Sequence, residues 1–378
     1  MLRYLRLTVL NRTSRSRKIR DLAALTDAPR AVMRATRTAD VVVPIYGSYD
    51  ETKALLRNLA DDPAPPGRVI LVDDASPEPR MLPMLQEASA GREGWQLLEN
   101  SSNLGFVGTC NRGIAASNVD VIVLNTDTEV PPGALRRVAD TLQSASNIAT
   151  ATPFSNSAYG VGFPQLNYPN PRPFGTTTLE INDCFASLPI SPKIDLPRGV
   201  GFCMGISRAV VQRIGGFSAE FGRGYGEDAG FSLEAARLGM RNVVAANAYV
   251  FHIGGQSFGG SWQDRSRRAT LKILARYPEY LTMVDDYLAS GQAHAICFVA
   301  LVLLAEKKSG SVVQIEQSEN DSVGRVAGRP APARLRISRH NAGADAVLAL
   351  GEERYRFKFA NAQTIDHYLS LLRRARRR

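Results

Sequence analysis

The chain has 378 residues and a mass of 41.1 kDa, with 44% hydrophobic and 22% charged residues, a profile of one large soluble globular domain or two ordinary ones. Its net charge of +10 and pI of about 9.6 invite a nucleic-acid reading, yet residues 1–37 alone carry +8, the closing RRARRR adds five Arg, and everything between nets −3. The body is not basic, so the overall charge gives no support to a nucleic-acid-binding domain, and no nucleic-acid partner is expected.

Residues 1–37 form the first cationic arm. Its apolar residues are interleaved with Arg and no small-residue cleavage site follows, so a secretory signal is not expected and a cytoplasmic location is. The two arms read either as solvated termini or as a means of peripheral attachment to an anionic membrane surface, at the inner face of the cytoplasmic membrane, or to an acidic partner.

DVVVPIY (40–46) is a β-branched run stopped by Pro44, and ETKALLRNLA (51–60) spaces Ala54, Leu55, Leu56 and Leu59 on one helical face. After the linker DDPAPPG, RVILVDDAS reads as a second strand and 81–90 as a helix. WQLLEN gives a third strand, VGTCNRGIAAS a helix and VDVIVLNTD a fourth strand. Alternation at this spacing implies a parallel sheet covered by helices, with ligands beyond the carboxyl ends of the strands. The three best strands all end in polar residues there: Tyr46, Asp73 with Asp74, and Asn125 with Asp127.

Residues 151–198 are rich in Pro, Asn and Gly and are expected to be long loops. GVGFCMGISRAVVQRIGGF then reads as a strand and short helix, GEDAGFSLEAARLG as a helix closed by Gly239, NVVAANAYVFHIGG as a strand ending at His252, and 262–290 as helical. Beyond residue 295 short strands are expected at ICFVALVLL, SVVQIE, ARLRIS and RYRFKF, before a final amphipathic helix. A boundary near 294 separates a domain over 38–294 from an extension over 295–378 of unassigned role. No apolar run reaches the roughly 18–20 residues of a membrane span. Cys110, Cys184, Cys203 and Cys297 are far apart with no C-x-x-C pair, which points to isolated buried thiols rather than zinc or disulfides.

An acidic strand end at the ligand edge of a parallel sheet is where a divalent cation bridging a diphosphate would sit, and Asp127 is the natural ligand. NTD also reads as an Asx-type turn or an N-cap before Pro131, the reading that spacing alone favours. Asp74 can accept the imide N–H of uracil or thymine while Tyr46 covers the base, or it can simply close the DDASP loop. Glu227 and Asp228 open a helix, where carboxylates are common caps; the functional reading makes Asp228 a general base. His252 is either a hydrogen-bonded strand-end residue or a second metal ligand beside Asp127, an arrangement that suits Mn²⁺ better than Mg²⁺.

In order, VVVPIYG, VILVDDAS, NLGFVGTCNRGI, VIVLNTDTEV, GFCMGISRAV, IGGFSAEFGRGYGEDAGFSLEAARLG and VFHIGGQSF resemble the family 2 glycosyltransferases, especially their bacterial rhamnosyltransferase-like branch, over about 40–263. The resemblance implies an α/β fold of the GT-A nucleotide-diphospho-sugar transferase type, with a mostly parallel sheet flanked by helices and a small C-terminal α+β extension. It further implies an inverting transferase of bacterial cell-surface polysaccharide synthesis, a UDP- or dTDP-linked donor, a glycan or lipid-linked acceptor, and Mn²⁺ or Mg²⁺ as cofactor. Carried over by position, Asp228 matches the catalytic base, Asp127 the metal-binding aspartate and His252 the histidine after the next strand. Pro44, Tyr46, Asp74, Asn103, Asn111, Asn125 and Thr126 match the donor-binding stretch, and Glu227 is a further candidate. Asn125 stands in place of the first acid of the D-x-D pattern, and Gly230 where many relatives carry a third acid.

Two other readings compete. A sugar-nucleotide pyrophosphorylase shares the fold type but places a Gly-rich, Arg-containing loop after the first strand, which PIYGSYDETK lacks. A catalytically silent sugar-nucleotide-binding or membrane-surface scaffold module would bind donor without turning it over.

Overall fold

The computed structural model describes residues 39–166, 169–188, 191, 193–221, 225–254, 262–318, 332–340, 343–359 and 362–377. The basic N-terminal arm lies outside the described residues. β1 (Ala39–Ile45), α1 (Tyr49–Ala60), β2 (Val69–Asp73), α2 (Met81–Ser89), β3 (Trp95–Glu99), α3 (Gly105–Ala115) and β4 (Asp120–Leu124) follow the alternation expected from sequence. Next come β5 (Thr128–Glu129), α4 (Ala134–Leu142), β6 (Ile148–Phe154), a 3-10 turn at Pro173–Gly175, α5 (Thr178–Ser187), β7 (Lys193–Asp195), β8 (Cys203–Ile206), α6 (Arg208–Ile214), α7 (Glu227–Arg237), β9 (Arg241–Tyr249) and β10 (Phe251–His252).

Eight strands form one sheet in the order β3-β2-β1-β4-β8-β6-β9-β7. β3, β2, β1 and β4 are mutually parallel, as are β6 and β9, while β8 and β7 run antiparallel to their neighbours. The chain builds outward from β1 to β3, then crosses back through α3 to place β4 on β1's other side. That reversal opens a crevice at the carboxyl ends of β1 and β4, the place where such sheets bind ligands.

Strand parity sorts the core into two layers. Val41, Val43, Ile45, Leu71, Ile122 and Leu124 pack with α1, α2, α4 and α5 on one face. Val42, Ile70, Val72, Val121 and Val123 pack with α3, α6 and α7 on the other. Strands buried on both faces read as continuous apolar runs, which is why they were visible in the sequence. α3 approaches the sheet so closely that a Cβ at Gly113 would overlap Val42 and sit 3.1 Å from Val72 Cγ2.

α8 (Trp262–Arg276) and α9 (Tyr280–Ser290) confirm the expected helical stretch. α10 (Gln292–Ser309) corrects the expected strand ICFVALVLL, and the boundary placed near 294 falls within its first turn. An unbroken apolar run has no period of its own, so it cannot distinguish a buried strand from a helix buried all round. α10 is the latter: residues 295–302 are all buried. It joins the same core cluster on one side to α5 and on the other to a second sheet. That sheet, in the order β11-β12-β13-β14, comprises β11 (Gln314–Ser318), β12 (Arg334–His340), β13 (Gly343–Leu350) and β14 (Glu353–Phe359), with α11 (Ala362–Arg376) on its inner face. Among the described residues no single helix is long and apolar enough to cross a membrane; α9 and α10 together pass that test but bend by 41° at their junction.

The stretch 151–198 is also less irregular than expected. β6 opens before it and runs into it, and α5 starts with a capping box in which Thr177 Oγ1 accepts from Glu180 N and the Glu180 carboxylate accepts from Thr177 N. Gly113→Ala should lower unfolding free energy by about 1–3 kcal/mol through overpacking. Urea denaturation measures it, and wild-type stability would show that α3 has room to shift.

Candidate active site

The carboxyl edge of the sheet gathers nearly all the residues singled out above. Thr128–Glu129 and Phe251–His252 pair as a two-stranded antiparallel ribbon with His252 opposite Thr128, and Ile253 N donates to Asp127 O at 2.9 Å. This ribbon places Asp127 Oδ1 3.3 Å from His252 Nε2. His252 is fixed from three directions. Its N–H donates to Asn156 Oδ1 (2.7 Å), its carbonyl accepts from Asn156 Nδ2 (3.0 Å), and its ring stacks on Phe202 at 5.3 Å and 22°. Arg172 braces the ribbon's far side by pairing with Glu129 and covering the Phe251 ring at 3.9 Å.

Asp127 is only 3% exposed, and its Oδ1 has no aligned hydrogen-bond partner. Neither do the buried Asn125 Oδ1 and His252 Nδ1. Buried polar atoms are normally paired, so a cluster of orphans at a ligand edge marks a place built for something else. Carboxylate, amide oxygen and imidazole are a donor set that fits a divalent cation, Mn²⁺ more comfortably than Mg²⁺. Among the described residues no group of three or more His, Cys, Asp or Glu converges, so a cation here would complete its shell with phosphate and water.

The second half of the site is the start of α7. Tyr225 (φ 74) and Gly226 (φ 95) turn the chain through two successive positive-φ residues, and Gly226 is required because a Cβ would stand 2.9 Å from Phe221. Asp228 Oδ2 accepts from Gly201 N (3.0 Å) and from Arg198 Nη1 (3.1 Å), and Oδ1 from Ala229 N (2.6 Å). Arg198 also donates to Tyr280 Oη at 3.0 Å. Burial opposes its charge, but Asp228, Tyr280 and Tyr159 outweigh burial and hold the guanidinium above its ordinary pKa. Gly230 is explained by packing: a Cβ there would overlap the Phe221 ring, so no third acid fits.

Glu227 points into the interior, 6% exposed, with Oε2 unpartnered. Burial first, and the neighbouring Asp228 second, push its pKa up to about 8. Two adjacent acids are thereby set apart: Glu227 keeps its proton at neutral pH, while three N–H donors surround Asp228.

One two-residue segment ties the halves together. Gly201 N binds Asp228, while Phe202 O accepts from Asn125 N at 2.9 Å and the Phe202 ring carries His252. The metal-type cluster and the candidate base therefore flank the same short stretch of chain.

On the nucleotide side, Tyr46 follows β1 and is 52% exposed, open for stacking. Pro44 is buried within β1, opposite Val72 and beyond the last β4 pair at Val42, so its missing N–H breaks no β4 pairing. Thr126 is buried beside Asp127. Two of the residues singled out are tied into the fold by their own hydrogen bonds. Asp74 is 2% exposed and its oxygens accept from Asn100 Nδ2 (2.7 Å), Leu104 N (2.7 Å) and Gly105 N (2.9 Å), so it holds the amino end of α3 rather than presenting a free acceptor to a base. The Asn111 amide both donates to and accepts from the Phe217 backbone, at 2.9 and 2.8 Å, and serves as a staple between α3 and the segment after α6. Asn103 Oδ1 accepts from Gly105 N at 3.0 Å, beside Asp74. Arg198, Asn156 and Phe202 were missed from sequence, because their roles depend on contacts between distant segments. A cavity of about 380 Å³ lined by Asp40, Gly67, Arg68, Gly94, Asn118 and Val119 opens at the opposite, amino edge of the sheet, away from this chemistry.

The raised Glu227 pKa has a signed consequence. The stability linked to its neutral form is complete below the ordinary 4.5 and is lost as pH rises through about 8. Glu227→Gln should match the wild type near about pH 4 and exceed it by on the order of 2–4 kcal/mol at about pH 9. Urea unfolding across pH reads this directly, and a pH-independent difference would refute it.

Residues 40–215 match the family model described as Glycosyl transferase family 2. Among solved structures, the mannosyltransferase PcManGT from Pyrobaculum calidifontis, in complex with GDP-Man and Mn²⁺, is similar at 17% identity and a TM-score of 0.52, covering 79% of this chain and 82% of that one. GalNAc-T7 with UDP, GalNAc and Mn²⁺ is similar at 15% identity and a TM-score of 0.50, covering 66% of this chain and 49% of the other. No match was found among curated proteins. The sheet order, the crevice at β1 and β4 and the similar solved structures agree that the chain has the GT-A fold, and residues 40–215 are similar to the family 2 glycosyltransferases.

Proposed function

We propose that the protein is an inverting, metal-dependent glycosyltransferase that moves a sugar from a UDP- or dTDP-linked donor to a hydroxyl of a glycan or lipid-linked acceptor. Its setting is bacterial cell-surface polysaccharide synthesis, in the rhamnosyltransferase-like branch, at the cytoplasmic side of the membrane. The observation that carries this reading is the Gly201–Phe202 bridge between Asp228 and the Asn125–Asp127–His252 cluster. Inversion needs a base and a leaving-group site on opposite sides of one sugar, and this bridge keeps the two acids close yet separate. That similar folds hold Mn²⁺ with GDP-Man or UDP supports the same ligand class here.

Asp127 and His252, with the Asn125 amide, would hold Mn²⁺ or Mg²⁺, which supplies positive charge to the departing diphosphate. Tyr46 covers the base, and Asp74 shapes that end indirectly by fixing Leu104 and Gly105. Asp228 takes the proton from the acceptor hydroxyl as that oxygen attacks the anomeric carbon. Its Oδ2 is anchored by Arg198 and Gly201, so Oδ1, with one donor from Ala229, is the oxygen with room to accept. The protonated Glu227 adds no second negative charge beside the donor.

Thermal stabilisation across a panel of UDP-, dTDP- and GDP-sugars with Mn²⁺ would identify the donor. With that donor, Asp228→Asn should keep nucleotide binding and lose about 10²–10⁴-fold in transfer rate. Unchanged transfer would remove Asp228 as the base, and donor binding without any turnover by the wild type would favour the silent binding module. Asp127→Asn should abolish the Mn²⁺-dependent part of donor stabilisation; an unaltered metal response would place the cation elsewhere.

A further inference from the structure

The extension after α10 differs in charge from the rest of the protein. Leaving out the closing RRARRR, residues 332–372 hold six Lys or Arg against four Asp or Glu, a net +2, whereas residues 39–318 net −5. Register shows where part of this excess stands. In the second sheet Leu335, Ile337, Ala344, Ala346, Leu348, Tyr355, Phe357 and Phe359 point inward to α10 and α11, so the alternate residues face outward. Across that outer face run the rows Arg334–Ala349–Arg354, Arg336–Val347–Arg356 and Ser338–Asp345–Lys358.

The result is a face with five cations, among which stand the acids Glu316 and Asp345. Glu316 pairs with Arg334 and Arg336 at 3.8 and 3.3 Å. Arg354, Arg356 and Lys358 are exposed and form no ion pair among the described residues. The strand between the two cationic rows presents only Val347, Ala349 and Asp345, so the face is low in the middle. β14 is an edge strand, and charge on edges guards against strand addition. That explains one or two of these residues, but not Arg334 and Arg336 on an interior strand.

We propose that the outer face of the β11–β14 sheet docks on an anionic lipid bilayer. Charge complementarity argues for this partner. The module's rings, Tyr355, Phe357, Phe359 and Tyr368, are all buried, leaving no stacking platform on this face for single-stranded nucleic acid. A sheet presented by its face, with no projecting helix or ribbon, also has nothing to insert into a duplex groove. β14 moreover has two faces with different duties. Inward, Glu353 accepts from Phe174 N at 2.8 Å and Tyr355 packs edge-on against Phe174 at 5.4 Å, two residues from the Arg172 that braces the metal-type ribbon. Outward, it carries Arg354, Arg356 and Lys358. Docking by this strand would hold the candidate site beside the membrane, where a lipid-linked acceptor resides, and it involves a surface distinct from the terminal arms.

Co-sedimentation of the full chain with phosphatidylglycerol/phosphatidylcholine vesicles, against pure phosphatidylcholine, tests the proposal without any activity measurement. Wild type should bind only the anionic vesicles, and less in high salt. Combined Arg354→Gln, Arg356→Gln and Lys358→Gln should weaken partitioning roughly 100-fold, at about a factor of several per cation. Combined Lys53→Gln, Arg57→Gln and Arg213→Gln removes the same charge from exposed sites on the catalytic body and should change it far less. Equal losses in the two triples, no loss in the first, or no binding by wild type would each overturn the proposal. All six positions are exposed, and circular dichroism verifies that both variants fold. Donor stabilisation by nucleotide sugars is read separately, so failure here leaves the transferase reading standing.

Discussion

The site depends on a ribbon of two residue pairs. Thr128–Glu129 follows the central strand β4 and Phe251–His252 follows β9, far across the sheet. Without that pairing Asp127 and His252 would end separate strands with no reason to meet. So short a ribbon is weak alone, and the structure reinforces it from every side. Asn156 clamps the His252 backbone, Phe202 stacks on its ring, Ile253 N reaches Asp127 O, and Arg172 joins Glu129 to Phe251. These contacts fix the backbone and ring of His252 beside Asp127 while Asn125 Oδ1, Asp127 Oδ1 and His252 Nδ1 are left without aligned hydrogen-bond partners, an arrangement compatible with a reversible cation site.

Much of this was legible in the chain because local rules dominate there. β1, β2 and β4 are buried on both faces, and their apolar runs stop where the polar residues begin. Gly239 closes α7, and its acids stand at its amino end. What could not be read was any feature set by distant partners. Asp74 and Asn111 look like exposed polar residues of a binding loop, yet the first holds the start of α3 and the second staples α3 to Phe217. Spacing cannot reveal a hydrogen bond to a segment a hundred residues away. β13 was missed because Ala carries half of its inward positions, which weakens alternation, and α10 because an apolar run buried all round has no period.

The adjacent acids Glu227 and Asp228 show how environment assigns roles that residue type leaves open. Both lie in the first turn of α7, where either would serve as a cap. Helical geometry sends them in different directions, Glu227 inward and Asp228 toward Arg198 and Gly201. Burial, which outweighs the backbone hydrogen bonds to its carboxyl, keeps a proton on the first, while N–H donors crowd the second. The tight fit of Phe221 against Gly226 and Gly230 fixes that rotation, because neither position tolerates a side chain. A third acid would require the ring to leave.

The extension after α10 is more than an appendage for the same kind of reason. α10 is buried on all sides, against α5 of the main α/β layer and against the second sheet. Phe174, in the left-handed region at φ 55, is held by Glu353 and Tyr355 of β14. Arg172, two residues earlier, reaches Glu129 and Phe251 of the ribbon. A shift of β14 relative to the catalytic layer would therefore act first on the segment that steadies Asp127 and His252. The Asp127–His252 ribbon and the second sheet are thus joined through Arg172, Phe174 and β14, and this gives the C-terminal module a physical route to influence how firmly those two side chains are held.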